Sequence, residues 1–256
     1  MNDKEIELNR YNNSSSNKLN EKLIEEKLSI IGSLNYPKYL QAPFKKYENL
    51  INDFSLKNKN IHQLDLCCGD GIHSFNAAFN GANVIAVDYA EKSIEIAKLR
   101  ASKIGVPIDF RVCDVDNLDF EDEQFDIVTC VGSLSYVDQD KFILEIRRIL
   151  KPEGIFICLD SFNHNILYRL NRNIHYLKGK RSKSTLKKMP NEELISKIRP
   201  MFKDFKIFHF GIFSFLAPIL AIFFDENKTA IIIDNFDTYF SFLKKYSFKI
   251  VFYAIK

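Results

Sequence analysis

The sequence contains no C-x-x-C pair and no zinc spacing: its five cysteines are the adjacent Cys67 and Cys68 and the isolated Cys113, Cys130 and Cys158. Neither a disulfide framework nor a structural metal can therefore organise the chain, and no metal ligand is assigned. Thiols scattered through apolar runs read as small core residues in a reducing compartment. The first residues lack the apolar stretch of a signal peptide, which with the cysteines leads to the expectation of a cytoplasmic protein. Nor is there a large net charge. The 36 Lys and Arg against 33 Asp and Glu give +3, too little to argue for a dedicated nucleic-acid binder. The most apolar stretch, 207–224, is interrupted by Gly211 and Pro218 and diluted by His209 and Ser214. A spanning helix needs about 20 apolar residues, so this stretch reads as a strand followed by a buried or interfacial helix, with burial in the core favoured. No repeat of solenoid period is present.

What the chain does have is 256 residues, 46% of them hydrophobic, enough to close one full core with a small appendage. Residues 1–20, rich in Asn, Ser and Lys, read as a frayed terminus or a lid. From Asn20, the spacing of Leu23, Ile24, Lys27, Leu28 and Ile31 predicts a helix that stops at Gly32. A second helix places Tyr47, Leu50, Ile51 and Phe54 on one face. Between Ile61 and Cys158 short apolar runs then alternate with amphipathic stretches. Strand and helix alternating with short connections predict a doubly wound, Rossmann-like α/β sheet, in which ligands sit beyond the carboxyl ends of the strands.

Those carboxyl ends carry polar groups. Leu64-Asp-Leu-Cys-Cys-Gly-Asp-Gly71 is a strand entering a Gly-x-Gly turn that opens a helix, and the glycines let a ligand approach the main chain. Asn83–Asp88 ends in an acid 19 positions after Gly69, where such sheets present a carboxylate to a ribose. Phe110–Asp114 again ends in Asp, and Phe125–Val131 runs into Gly132-Ser133. A pyrophosphate-binding dinucleotide site fits less well, because Ser74 stands where the third glycine belongs and Asp70 would repel a phosphate.

Over residues 36–160 these motifs resemble the class I S-adenosylmethionine-dependent methyltransferases, in the small-molecule branch that includes ubiquinone-pathway enzymes. Cys67 stands in place of the family's first glycine and Asp70 in place of its threonine. The resemblance implies S-adenosyl-L-methionine as cofactor, with Asp65 orienting the methionine amino end and the main chain at Cys67, Gly69 and Gly71 close to the ligand. It further implies Asp88 on the ribose hydroxyls, Tyr89 packed on the adenine, and Asp114 with the Val115 backbone on the adenine edge. Val131 and Gly132 would lie under the methionine, and Leu150–Gly154 would form the turn before the fifth strand. The family's sheet has seven strands with the last antiparallel. The domain expectations are then 1–35 as flexible N-terminus and lid helix, 36–160 as core, 161–245 as substrate cap containing the sixth strand, and 246–256 as the final strand. Tyr36, Tyr39 and Tyr47 would cover the cofactor or pack on the sheet edge.

Methyl transfer is an in-line displacement in which alignment dominates, and a hydroxyl acceptor also needs a base. Tyr136, Asp160 and His164 are the catalytic candidates, since they follow the fourth and fifth strands; capping or loop roles compete for His164 and Asp160. Residues 161–191 hold no acid but carry Arg169, Arg172, Lys178, Lys180, Arg181, Lys183, Lys187 and Lys188, interleaved with Tyr168, His175 and Tyr176. Such a stripe favours an anionic partner or weak membrane-surface contact, or is a solvated helix face. More loosely, 161–190 resembles methyltransferases that accompany bacterial surface-polysaccharide biosynthesis, so the expectation is methyl transfer to a hydroxyl or amine of a small acceptor, foremost a sugar or sugar nucleotide in bacterial glycan biosynthesis. An RNA methyltransferase using the stripe, or a catalytically silent S-adenosylmethionine-binding protein, are the alternatives.

Overall fold

The computed structural model describes residues 8, 12, 27–178 and 182–256. The lid helix expected from Asn20 falls outside the described residues except for its end, where Lys27 and Leu28 are helical and Leu28 is buried. Lys180 and Arg181 of the basic stripe also fall outside them.

The first long helix, α1 (Gln41–Lys57), buries Phe44, Tyr47 and Ile51, the three- and four-residue spacing of one helical face. Four strands follow in alternation with helices: β1 (His62–Leu66), α2 (Asn76–Phe79), β2 (Asn83–Asp88), α3 (Glu91–Ile104), β3 (Asp109–Val112) and β4 (Phe125–Val131). Gly105, left-handed at φ +76°, ends α3. Next come α4 (Gln139–Ile149), capped by Asp138, and β5 (Leu150–Ser161). The remainder adds α5 (Ile166–Leu177), α6 (Lys183–Lys187), α7 (Glu192–Ile198), β6 (Asp204–Phe210), α8 (Ala217–Phe223), α9 (Glu226–Tyr239) and β7 (Lys249–Ile255).

The seven strands form one sheet in the order β3-β2-β1-β4-β5-β7-β6. The pairs among β1 to β5 are parallel, whereas β7 runs antiparallel to both β5 and β6, as expected for the final strand. Because both faces are covered, successive strand residues are buried in turn: Val128 and Cys130 pack with Phe142, Ile143 and Ile146 of α4, while Ile127 packs with Phe44, Tyr47 and Ile51 of α1.

Three expectations are corrected. Leu150–Gly154 is not a separate turn: β5 already pairs at Leu150, through a register shift opposite Phe125 and Ile127 with Glu153 at φ +61°. The helix after β6 is not core: Ile212 before it is buried, but in α8 only Ala217 is, while Ile219, Ile222 and Phe223 are exposed. Within 161–245, α7 is not a cap helix; Leu194, Ile195 and Ile198 join the core beneath the sheet. Among the described residues no helix is long and apolar enough to cross a membrane.

Candidate functional site

The parallel strands end on a cleft of about 520 Å³. Its floor includes Asp65, Cys67 and Gly69 after β1, its far side Asp88 and Tyr89 after β2 with Asp114 and Val115 after β3, and its near side Val131 and Gly132 after β4. Nine of the ten expected cofactor residues therefore meet in one place. The tenth, Gly71, does not line it. A Cβ there would lie 3.0 Å from Ala97 Cβ and from the Phe110 ring, so Gly71 serves helix-to-sheet packing.

Two other glycines leave room for a ligand. A Cβ at Gly69 (φ +56°) or at Gly132 (φ +70°) would meet nothing within 4 Å, so open space adjoins the main chain at both turns. Cys67, in the same turn, holds φ +54° with a side chain, a conformation costing about 1–2 kcal/mol for an L-residue and natural to glycine.

The carboxylates are braced from below. Ser74 Oγ donates to Asp65 Oδ2 at 2.7 Å and Thr129 Oγ1 donates to Oδ1 at 2.8 Å, while Gln63 Nε2 donates to Thr129 Oγ1 at 2.8 Å. Burial pushes the Asp65 carboxyl up to about 6 against the pull of those two hydroxyls. Asp88 Oδ2 accepts the Gly69 amide and its Oδ1 the Ala90 amide, both at 2.8 Å, so the acid that closes β2 also fixes the turn after β1. Burial raises this carboxyl too, with the backbone amides opposing. The sequence shows Ser74 only as the residue in the third glycine's place and does not single out Thr129, because a buried hydroxyl that braces an acid carries no spacing signature of its own.

Of the three catalytic candidates, only Tyr136 lines the cleft, together with Ser133, Ser135 and Val137. Asp160 lies away from it, buried, accepting the Leu134 amide at 2.9 Å and the Ser161 amide at 2.6 Å. It ties the end of β5 to the turn that carries Tyr136. His164 Nε2 accepts the Glu192 amide at 3.1 Å, at the start of α7, and does not reach the cleft. Of the three tyrosines expected to cover the ligand, Tyr36 lines the cleft, Tyr47 is fully buried under α1, and Tyr39 faces a separate small cavity beside α9.

The basic stripe is not one surface. Arg172 is buried, its guanidinium directed at the Phe162 carbonyl and Asn163 Oδ1. From α6 and its end, Ser184, Thr185 and Lys188 line the cleft rim, and Lys188 Nζ donates to the Val137 carbonyl at 3.1 Å. His73, unread in the sequence, lines the cleft beside Tyr36.

Known proteins resemble this chain in part of its sequence and in its fold. A family model described as "Methyltransferase domain" matches residues 64–158. A ubiquinone biosynthesis O-methyltransferase of Bordetella pertussis is 36% identical over 112 residues, 43% of this chain and 46% of that protein. The protein of the same name from Pelagibacter ubique is 36% identical over 114 residues, covering 42% and 47%. The chain thus spans about half the length of the curated relatives it matches. Among solved structures, phosphoethanolamine N-methyltransferase 2 of Haemonchus contortus, in complex with S-adenosyl-L-methionine, superimposes with a TM-score of 0.59 at 19% identity, covering 83% of this chain and 52% of that one. The [4+2]-cyclase SpnF superimposes with a TM-score of 0.56 at 20% identity, covering 82% and 80%. Residues 64–158 thus carry a match to a methyltransferase domain, and the described residues share their fold with these solved structures.

Proposed function

We propose that the methyltransferase domain of this chain moves a methyl group from S-adenosylmethionine to a hydroxyl oxygen of a small acceptor. The observation that carries this reading is the set of three carboxylates, Asp65, Asp88 and Asp114, around one cleft at the ends of β1, β2 and β3, with open space against the main chain at Gly69 and Gly132. A ligand with a sulfonium and an ammonium group and no phosphate suits acidic walls that would repel a dinucleotide. Asp88 faces the ribose position and keeps Gly69 in place; Asp65, braced by Ser74 and Thr129, faces the amino end. When bound, the cofactor supplies an electrophilic methyl group. The chain's own contribution is alignment and exclusion of water, the main source of acceleration in such a displacement.

Oxygen as the receiving atom is supported by the names of the curated relatives, which are O-methyltransferases. A polar acceptor is supported by the rim, where Ser133, Ser135, Ser184, Thr185 and Lys188 offer hydroxyls and a cation. A sugar or sugar-nucleotide acceptor stands as a second reading on that same rim. RNA is disfavoured by the burial of Arg172 within the stripe that would have followed the phosphates. Fold alone does not decide the reaction, as the cyclase with the same architecture shows. The test is incubation with methyl-labelled S-adenosylmethionine and separate pools of catechols, nucleotide-sugars and tRNA, with products resolved by mass spectrometry. Label on an oxygen of a small acceptor supports the reading; label on RNA alone or on none of the pools removes it.

A further inference from the structure

Residues 27–36 are strapped to the glycine turn. Arg100, buried on α3, donates Nη1 to the carbonyls of Lys27, Leu28 and Ile30 at 3.0, 3.1 and 2.8 Å, and Nε to the Asp70 carbonyl at 2.9 Å. The Gly32 amide donates to the Ile72 carbonyl at 2.9 Å, and the Glu48 carboxylate accepts both the amide and the hydroxyl of Ser33. The strap delivers Tyr36. Its ring stacks on Phe44 with centroids 3.7 Å apart, and its hydroxyl lies 3.1 Å from His73 Nε2. Tyr36 and His73 both line the cleft, and the buried Nδ1 of His73 has no hydrogen-bond partner among the described residues.

When His73 Nε2 accepts the Tyr36 hydrogen, the phenol oxygen keeps its lone pairs and can accept a hydrogen bond from a hydroxyl in the cleft. We propose that Tyr36 receives the hydroxyl of the acceptor, and that His73 holds Tyr36 in register and takes up the proton released on transfer. This rests on the O-methyl reading. The acceptor oxygen forms its bond to the methyl carbon as the carbon–sulfur bond breaks, with that electron pair remaining on sulfur. The acceptor's proton passes to Tyr36 Oη while the Tyr36 proton passes to His73 Nε2, and the imidazolium then returns it to water.

The electrostatics agree with that sequence. Burial, with Lys249 of β7 and Arg100 of α3, pushes His73 down to about 4, Asp70 opposing; burial, with Asp70 and Glu48, pushes Tyr36 up to about 12. Both groups rest neutral, so neither repels a sulfonium before transfer. A weak base suffices because an oxygen that has just gained a methyl group is a very strong acid.

The experiment compares wild type, Tyr36→Phe, His73→Asn and the double variant, reading label transfer from S-adenosylmethionine to catechol and to a small-molecule bacterial extract, and S-adenosylhomocysteine affinity by calorimetry. Tyr36→Phe lowers kcat about a hundredfold and His73→Asn about tenfold, with cofactor affinity held within about threefold, and the double variant is no slower than Tyr36→Phe alone. Variants that keep more than half of wild-type kcat, or that lose cofactor affinity in proportion to turnover, overturn the proposal while leaving O-methyl transfer standing. Absence of transfer to oxygen by the wild type overturns both.

Discussion

The carboxylate of Asp88 accepts the main-chain amide of Gly69 across 2.8 Å, joining the end of β2 to the turn after β1. One side chain thus shapes the turn and presents acid to the cleft. Asp88→Ala leaves the Gly69 and Ala90 amides without that partner and removes a carboxylate from the cleft lining. Its affinity for S-adenosylhomocysteine should fall at least tenfold by calorimetry, about 1.4 kcal/mol; an unchanged affinity would place the ligand elsewhere.

Gly69 and Gly71 should separate when each is changed to Ala. At Gly71, a left-handed φ of +74° combines with contacts at 3.0 Å to Ala97 and Phe110, so strain and overpacking together cost about 2–5 kcal/mol. At Gly69 the added methyl meets nothing within 4 Å, and strain alone costs about 1–2 kcal/mol, but the methyl enters the cleft. Denaturant midpoints should show the larger loss for Gly71→Ala, and cofactor titration of the folded fraction the larger loss for Gly69→Ala.

His164→Ala should leave turnover within twofold and lower stability. The imidazole accepts the Glu192 amide at the first turn of α7 rather than facing the cleft, and losing such a bond costs about 1 kcal/mol. Thermal denaturation beside a transfer assay checks both halves; a tenfold loss of kcat at unchanged stability would return His164 to the site.

The pH dependence follows from Asp65. Its carboxyl is raised from 3.8 to about 6 in the folded protein, so between about pH 4 and 6 the folded state binds more protons than the unfolded one. Stability of the ligand-free protein therefore falls as pH rises through that window. Affinity for a cationic ligand rises over the same window, because binding favours the ionised acid. Melting curves and calorimetry from pH 5 to pH 7.5 should show the two trends running in opposite directions, and Asp65→Asn should flatten both.

Alternation of period made the sheet legible, since β1 to β4 lie where the apolar runs end in Asp or Gly, and the same ends bring nine of the ten expected residues to one cleft. Gly71 and Gly69 look alike in sequence, whereas in the structure an added Cβ would meet Ala97 and Phe110 at Gly71 and open space at Gly69. The catalytic candidates fared worse. Asp160 lies at the end of β5 and His164 just after it, but backbone amides from Leu134 and Glu192 occupy them, pairings with no local pattern. His73 was hidden for the opposite reason: its partner Tyr36 is 37 residues away, and the strap held by Arg100, together with Phe44 stacked on both rings, brings them together.

The most direct measurement is calorimetric titration of the full chain with S-adenosylhomocysteine, alongside Asp88→Ala. The account predicts binding of one equivalent by the wild type and at least a tenfold weaker isotherm for the variant; no binding by folded wild-type protein, or identical isotherms for the two, would contradict it.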